Sequence, residues 1–308
     1  MSIIPRRHRV FVWPFNVRAS VSCLMLVCMS LSGGVCAQER PNESSASVEA
    51  MKAWYAFYHR EATQAYRFVM EPGGVELKLD PTPIMRWTNP LEEGSIHGVV
   101  YVWRHEGRPV VVGQLFSYLN GKGGRVYCHA MHSLARKDQK LIGLREGKSF
   151  WNPDSPGIEL RDVPGTPLPA ATRAARLVQM KAISRRFTAY TEEASRGKRV
   201  LRLLPTPLDR YPESDPEGED GALFSLVVGN DPEVILLVEK DATPASGPVW
   251  QYGLILSTRS TSVALLDERE VWRYDSVGKN PSNPRGGYLS VHGIATLPLE
   301  PPERSEKP

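Results

Sequence analysis

Residues 96–134 read IHGVVYVWRHEGRPVVVGQLFSYLNGKGGRVYCHAMHSL. Three runs rich in β-branched and aromatic residues, Ile96–Arg104, Pro109–Leu119 and Arg125–Leu134, are separated by Glu106-Gly107 and by Asn120–Gly124. Gly and Asn supply the positive φ that tight hairpins need, so the stretch predicts a β-meander of three antiparallel strands. Side chains alternate faces along a strand. If Glu106-Gly107 is a simple two-residue turn, Trp103 pairs with Val110 and Tyr101 with Val112. With Leu119 opposite Arg125, one face then carries the rows His97–Phe116–Cys128, Val99–Gln114–Ala130 and Tyr101–Val112–His132. On that register His97, Tyr101, Trp103 and Gln114 share one aromatic and polar face, a candidate ligand wall. Cys128 and His132 lie ~13 Å apart along their strand, too far for a cysteine–histidine nucleophile pair.

Working outward, Ser47 is a candidate cap for a helix over 48–63, with Met51, Trp54, Tyr55 and Tyr58 on one side. Short strands are expected at Tyr66–Met70, Val75–Leu79, Pro83–Trp87, Lys140–Leu144 and Lys148–Trp151. The proline-rich stretch 152–169 reads as a linker. Leu177, Met180, Ile183, Phe187 and Tyr190 recur at helical spacing and predict an amphipathic helix from Thr172 to Ser195, stopped by Gly197. Its basic back could meet an anionic membrane, but a core helix with a solvated face is the simpler reading. Strands are expected again at Val200–Leu204, Ala222–Val228, Glu233–Glu239, Val249–Thr258, Thr261–Leu266 and Glu270–Tyr274, with loops at 278–287. No repeat of fixed period is evident.

The N-terminus has the layout of an export signal. Arg6, Arg7, Arg9 and Arg18 precede the uncharged run ASVSCLMLVCMSLS (19–32), and Val35-Cys36-Ala37 precede Gln38. Cleavage after Ala37 removes all four arginines, leaving 34 basic against 34 acidic side chains, and three of the four cysteines. Cys128 alone remains, so the processed chain has no intramolecular disulfide. Its even charge argues against nucleic acid as a partner. No transmembrane span is expected in the processed chain. The expected organisation is a signal peptide over 1–37, a helix and β-meander over 38–165, a linker and central helix over 166–198, a second β-rich region over 199–297 and a flexible tail over 298–308. The fold class is α+β, mainly antiparallel β.

Motifs for chemistry are sparse. There is no G-x-S-x-G elbow and no H-E-x-x-H pair. GLREGKS (143–149) is one residue short of a phosphate loop and sits among strand signals. The acidic run Glu213–Asp220 does not follow the EF-hand order. No catalytic residue, metal set or cofactor is indicated.

The segments MRWTNP (85–90), HGVVYVW (97–103), HSL (132–134), LPTPLDRY (204–211) and DGALFSLVVGNDPEVILLVE (220–239) resemble a family of secreted, uncharacterised proteins from planctomycete bacteria. The resemblance spans most of the processed chain. It implies export and a compact β-rich fold, and it implies no activity, ligand or site residue. Two functional expectations follow: an exported, non-enzymatic binding or envelope-associated protein, or an extracellular hydrolase acting on glycans or peptides.

Overall fold

A computed structural model describes residues 43–89, 95–212, 219–244 and 247–301. The expectations on residues 1–37, on most of the acidic run 213–220 and on residues 302–308 lie outside the described residues. The chain opens with α1 (Glu43–Gln64), then β1 (Tyr66–Glu71), β2 (Val75–Glu76), β3 (Lys78–Leu79), β4 (Met85–Asn89), β5 (Ile96–His105), β6 (Arg108–Leu119), β7 (Arg125–Ser133), β8 (Lys140–Arg145), β9 (Lys148–Trp151) and β10 (Arg161–Asp162). It continues with α2 (Arg173–Ser184), β11 (Phe187–Glu193), β12 (Gly197–Val200), β13 (Arg202–Leu203), β14 (Asp209–Arg210), β15 (Gly221–Val228), β16 (Asp231–Asp241), β17 (Val249–Leu256), β18 (Thr261–Leu266), β19 (Arg269–Tyr274) and β20 (Tyr288–Leu297). Among the described residues every strand pairing is antiparallel.

The second list repeats the first. In one half β1 pairs β2 and β8, and β8 pairs β9; in the other β11 pairs β12 and β18, and β18 pairs β19. The sheets β7-β6-β5-β3 and β17-β16-β15-β13 match strand for strand, with β4 and β14 as side branches. Even the irregularities recur. A bulge falls opposite Trp103/Arg104, where β6 carries the extra residue Val110, and opposite Leu226/Val227, where β16 carries the extra residue Glu233, and another register shift recurs at Gly143/Leu144 and at Ala264/Leu265. The protein is therefore an internal duplication, contrary to the expectation of no repeat. Once aligned by structure the sequence shows it too. LKLDPTPIMRW (77–87) and LRLLPTPLDRY (201–211) lie 124 residues apart, GVVYVW (98–103) and GALFSL (221–226) lie 123 apart, and LREGKSFW (144–151) and LLDEREVW (265–272) lie 121 apart. The changing offset hides the period.

Packing follows the same symmetry. Gly98 lies under Trp87, where a Cβ would come within 2.8 Å of the ring; Gly221 lies under Tyr211, where it would come within 2.7 Å. Along β5, Val99, Tyr101 and Trp103 face α1 and β1, while Val100 and Val102 face the other repeat across a core shared with Leu223, Ile235 and Ile255. Both faces of each large sheet are thus buried. α2 closes the second repeat with Met180 and Ile183 against Phe224 and Leu236.

The repeats are joined by exchange. β10 follows the first repeat but pairs with β17 of the second, and β20 follows the second but pairs with β7 of the first. The two exchanged segments cross at Gly157 and Gly287, where a Cβ on Gly287 would lie 2.4 Å from the Gly157 Cα.

Several sequence expectations shift. α1 begins at Glu43, so Ser47 lies within the helix and not at its cap. α2 ends at Ser184, not Ser195, and Gly197 (φ 69°) opens a strand after a turn. Phe187, Ala189 and Thr191 are buried at a spacing of two, so β11 takes the residues that the helical pattern claimed. β20 was not expected, and the 152–169 linker contains β10.

Candidate functional site

The proposed ligand wall does not form. The turn at Glu106-Gly107 pairs as expected, with Arg104 opposite Pro109, but the bulge at Trp103/Arg104 then advances the register by one: Trp103 meets Val111 and Tyr101 meets Gly113. A one-residue slip sends every side chain beyond it to the other face. Gln114 therefore points away from His97, Tyr101 and Trp103, and Cys128 and His132 also leave the His97 face.

The three that remain together are packed beneath α1 and β1. Tyr58 of α1 holds the His97 ring at Nδ1 (3.0 Å), and its hydroxyl also meets Ser117 Oγ at 2.7 Å. Burial pushes the His97 pKa down to about 3, so the ring is neutral. The position equivalent to His97 in the second repeat is Asp220, and there α2 supplies Arg176, whose Nε donates to the carboxylate at 2.6 Å. The same helix-to-sheet lock is built with different chemistry. Trp103 packs edge-on against Phe68 (4.7 Å between centroids), and the Tyr101 hydroxyl lies 3.4 Å from His59 Nδ1. Gln114 instead ties the two large sheets together, donating to the Ser257 carbonyl (3.0 Å) and hydroxyl (2.9 Å). His132 lies between the Gly157 carbonyl (2.7 Å) and the Leu256 carbonyl (3.3 Å), with its pKa lowered by burial to about 4. Cys128 is a buried free thiol, raised to about 11 by desolvation. These groups are parts of the scaffold.

The open feature lies elsewhere. A groove of about 560 Å³ runs between the segment that leads into β10, the end of β19 and the loop after β7. Leu160, Tyr252, Leu254, Val271 and Trp272 give it an apolar and aromatic floor, and Arg136, Lys137 and Arg161 stand at its rim with Glu159. Arg161 is paired with Glu159 at 2.8 Å and also donates to the Val271 carbonyl at 2.7 Å. Arg136 is paired with Glu219 at 2.6 Å. Lys137 is exposed and has no ion pair among the described residues.

The repeat explains why the groove is there. Trp272 is the counterpart of Trp151: at the equivalent bulge of each hairpin, Trp151 pairs with Gly143 and Trp272 with Ala264. Trp151 is fully buried and its indole N–H donates to the Gly286 carbonyl at 2.7 Å. Trp272 is half-buried, and its indole makes no hydrogen bond among the described residues. From Trp272 to the crossing glycine Gly287 the chain runs fifteen positions, enough to fold over Trp151; from Trp151 to Gly157 it runs six. The shorter link leaves Trp272 uncovered. Sequence reading missed Trp272 and Lys137, and only an alignment of the two repeats would have marked them.

Among the described residues no three His, Cys, Asp or Glu side chains are placed to hold a metal ion, and no helix is long and apolar enough to cross a membrane. Comparison of the chain with protein-family models, with curated proteins and with solved structures finds no match. The class that the fold defines is a mainly antiparallel β protein built from two strand-exchanged repeats.

Proposed function

We propose that this is an exported, non-enzymatic binding protein that captures its ligand in the groove of the second repeat. One observation carries the reading: two equivalent tryptophans, one sealed by the chain's own link and the other left half-buried on the floor of an open groove. Concave apolar surface with a few polar groups at its rim is the usual form of a binding site, and an unsealed tryptophan with a free N–H is a common anchor. The signal-like N-terminus and the resemblance to a secreted family support export.

Purified protein would be titrated with panels of oligosaccharides, peptides and the dye 8-anilinonaphthalene-1-sulfonate, alongside Trp272→Ala. Binding that Trp272→Ala weakens by about tenfold or more supports the groove. Saturable binding indifferent to Trp272→Ala would place the site elsewhere, and turnover of a glycan or peptide would give the hydrolase reading instead. Export is checked by the N-terminal sequence of the chain recovered from outside the cytoplasm, which is expected to begin at Gln38.

A further inference from the structure

We infer that the first repeat carries a second binding site, a pocket at Arg86 that takes a small organic carboxylate. It is separate from the groove at Trp272 and goes beyond the reading given above. The other repeat shows what Arg86 lacks. Arg86 stands opposite Val99 of β5, and Arg210 stands opposite Ala222 of β15, so the two arginines hold the same place in the two repeats. Arg210 meets a carboxylate with both arms of its fork: Nε donates to Asp220 Oδ1 at 3.1 Å and Nη2 to Asp220 Oδ2 at 2.8 Å. Two parallel bonds between a guanidinium and a carboxylate are the strong and geometrically selective form of this pair. In the first repeat the acid is replaced by His97, which Tyr58 holds at 3.0 Å. Among the described residues the Arg86 side chain makes no ion pair and no hydrogen bond, and its guanidinium lies over the Tyr55 ring, 5.4 Å from the centroid.

That fork borders a cavity. A pocket of about 420 Å³ lies between α1 and the Pro81-Thr82-Pro83 segment ahead of β4. Tyr55 and His59 of α1 line it together with the two prolines, and Tyr101, itself fully buried, closes its floor. Among the described residues no aspartate or glutamate lines it. Lys52 also borders it but already pairs with Glu49 at 2.6 Å, so the charge without an internal partner is that of Arg86. The Tyr101 hydroxyl lies 3.4 Å from His59 Nδ1, which leaves Nε2 of the same ring as a second polar contact. Walls of proline and tyrosine around one arginine fork suit a carboxylate on a compact apolar body. The body meets the walls, and the carboxylate takes the place that Asp220 holds against Arg210.

The probe is N-acetylphenylalanine, titrated by saturation-transfer difference NMR against its neutral twin, N-acetylphenylalanine amide. The acid is expected to bind about tenfold or more tighter than the amide. Arg86→Gln should remove that preference. Arg86→Lys, which keeps the charge and loses the fork, should weaken the acid by about threefold or more, and it carries the test if the glutamine variant does not fold. Lys122→Gln, which takes a charge from the exposed turn between β6 and β7, should change nothing, and neither should Trp272→Ala. Equal binding of acid and amide, or a preference that survives both Arg86 variants, overturns the site. Loss of the preference in Lys122→Gln as well reduces it to general surface charge and overturns it too. Displacement of the acid by equimolar inorganic phosphate overturns the carboxylate assignment. Tighter binding of acetyl-Gly-Gly-Phe gives the carboxylate to a protein C-terminus and overturns the small-molecule source. Loss of acid binding in Trp272→Ala moves the probe to the groove and overturns the separate site. Because the two sites answer to different residues, failure at Arg86 leaves the groove reading standing.

Discussion

Replacing Gly157 by alanine tests the strand crossing directly. An added Cβ would sit 2.2 Å from the Ser133 carbonyl oxygen and 2.8 Å from the Gly287 carbonyl oxygen. Ordinary contact begins near 3.4 Å, so relief requires a displacement of roughly 1 Å. Both neighbours are backbone and cannot rotate aside, and the Gly287 carbonyl already accepts the Ser133 N–H at 2.9 Å. Overpacking a close-fitted interior costs about 1–3 kcal/mol, and here nothing flexible absorbs it, so about 3 kcal/mol is expected. With an m-value near ~3 kcal/mol/M the urea midpoint falls by about 1 M. Gly121→Ala is the control: its φ is +70° and nothing lies within 4 Å of the added carbon, so only the left-handed backbone penalty of about 1 kcal/mol applies. Urea unfolding would be followed by tryptophan fluorescence and by hydrogen exchange at β6 and β16. Because each repeat completes the other's sheet, both strands should report one midpoint. A Gly157→Ala protein no less stable than Gly121→Ala, or separate midpoints for β6 and β16, would refute the exchange as the element that unites the halves.

Three further outcomes follow from the packing. Arg108 is buried and bidentate to Glu239 (3.0 and 3.2 Å), whose carboxylate also accepts the Tyr211 hydroxyl at 2.5 Å. Arg108→Met leaves that buried carboxylate without its cation and should cost about 3–5 kcal/mol, with Arg108→Met/Glu239→Leu recovering at least half in a double-mutant cycle. The two tryptophans should separate in thermal unfolding: Trp151→Phe orphans the Gly286 carbonyl and costs about 1–3 kcal/mol, whereas Trp272→Phe breaks no bond and stays within about 1 kcal/mol. Burial holds His129 at about 3, and Tyr66 occupies its Nδ1 at 2.8 Å. Because the folded pKa lies below the unfolded value near 6.5, the unfolded chain takes the proton first. This histidine's contribution is complete above about pH 6.5 and is lost as pH falls toward 3, at about 1.4 kcal/mol per pH unit. His129→Gln should flatten the pH dependence of stability by that slope between pH 6 and 4, and an unchanged slope would exclude neutral burial.

What the sequence disclosed depended on how local the signal was. The β5–β7 meander was legible because Glu106-Gly107 and Asn120–Gly124 are turn chemistry in contiguous chain. The bulge at Trp103/Arg104 was not, since no residue type announces it, and that one extra residue separated Gln114 from His97, Tyr101 and Trp103. The end of α2 was misread because Phe187 and Tyr190 continue a spacing of three and four by coincidence, while the burial that decides β11 comes from strand β18 some 75 residues later. β10 and β20 were invisible for a related reason: each finds its partner in the other repeat, at a distance that no window spans. The groove at Trp272 was the least legible feature, because it consists of a difference between two copies and neither copy contains it alone.

That difference sets one pair of positions apart from the others. In both repeats the helix lock, the glycine under an aromatic ring and the two bulges persist although the residues that build them have changed: the Tyr58–His97 contact is replaced by Arg176–Asp220, and Trp87 stands against Tyr211. Positions that hold the fold therefore tolerate replacement of one interaction by another of equal reach. Trp151 and Trp272 show the reverse, the same residue in two environments. A buried indole sealed by a carbonyl needs no external explanation. Keeping so large an apolar side chain half-buried, beside a lysine without an ion pair, forgoes burial of the order of 1 kcal/mol, and in a chain that had a sealing loop available in its other half, the shorter link is better explained by what the opening admits than by how the repeat is held together.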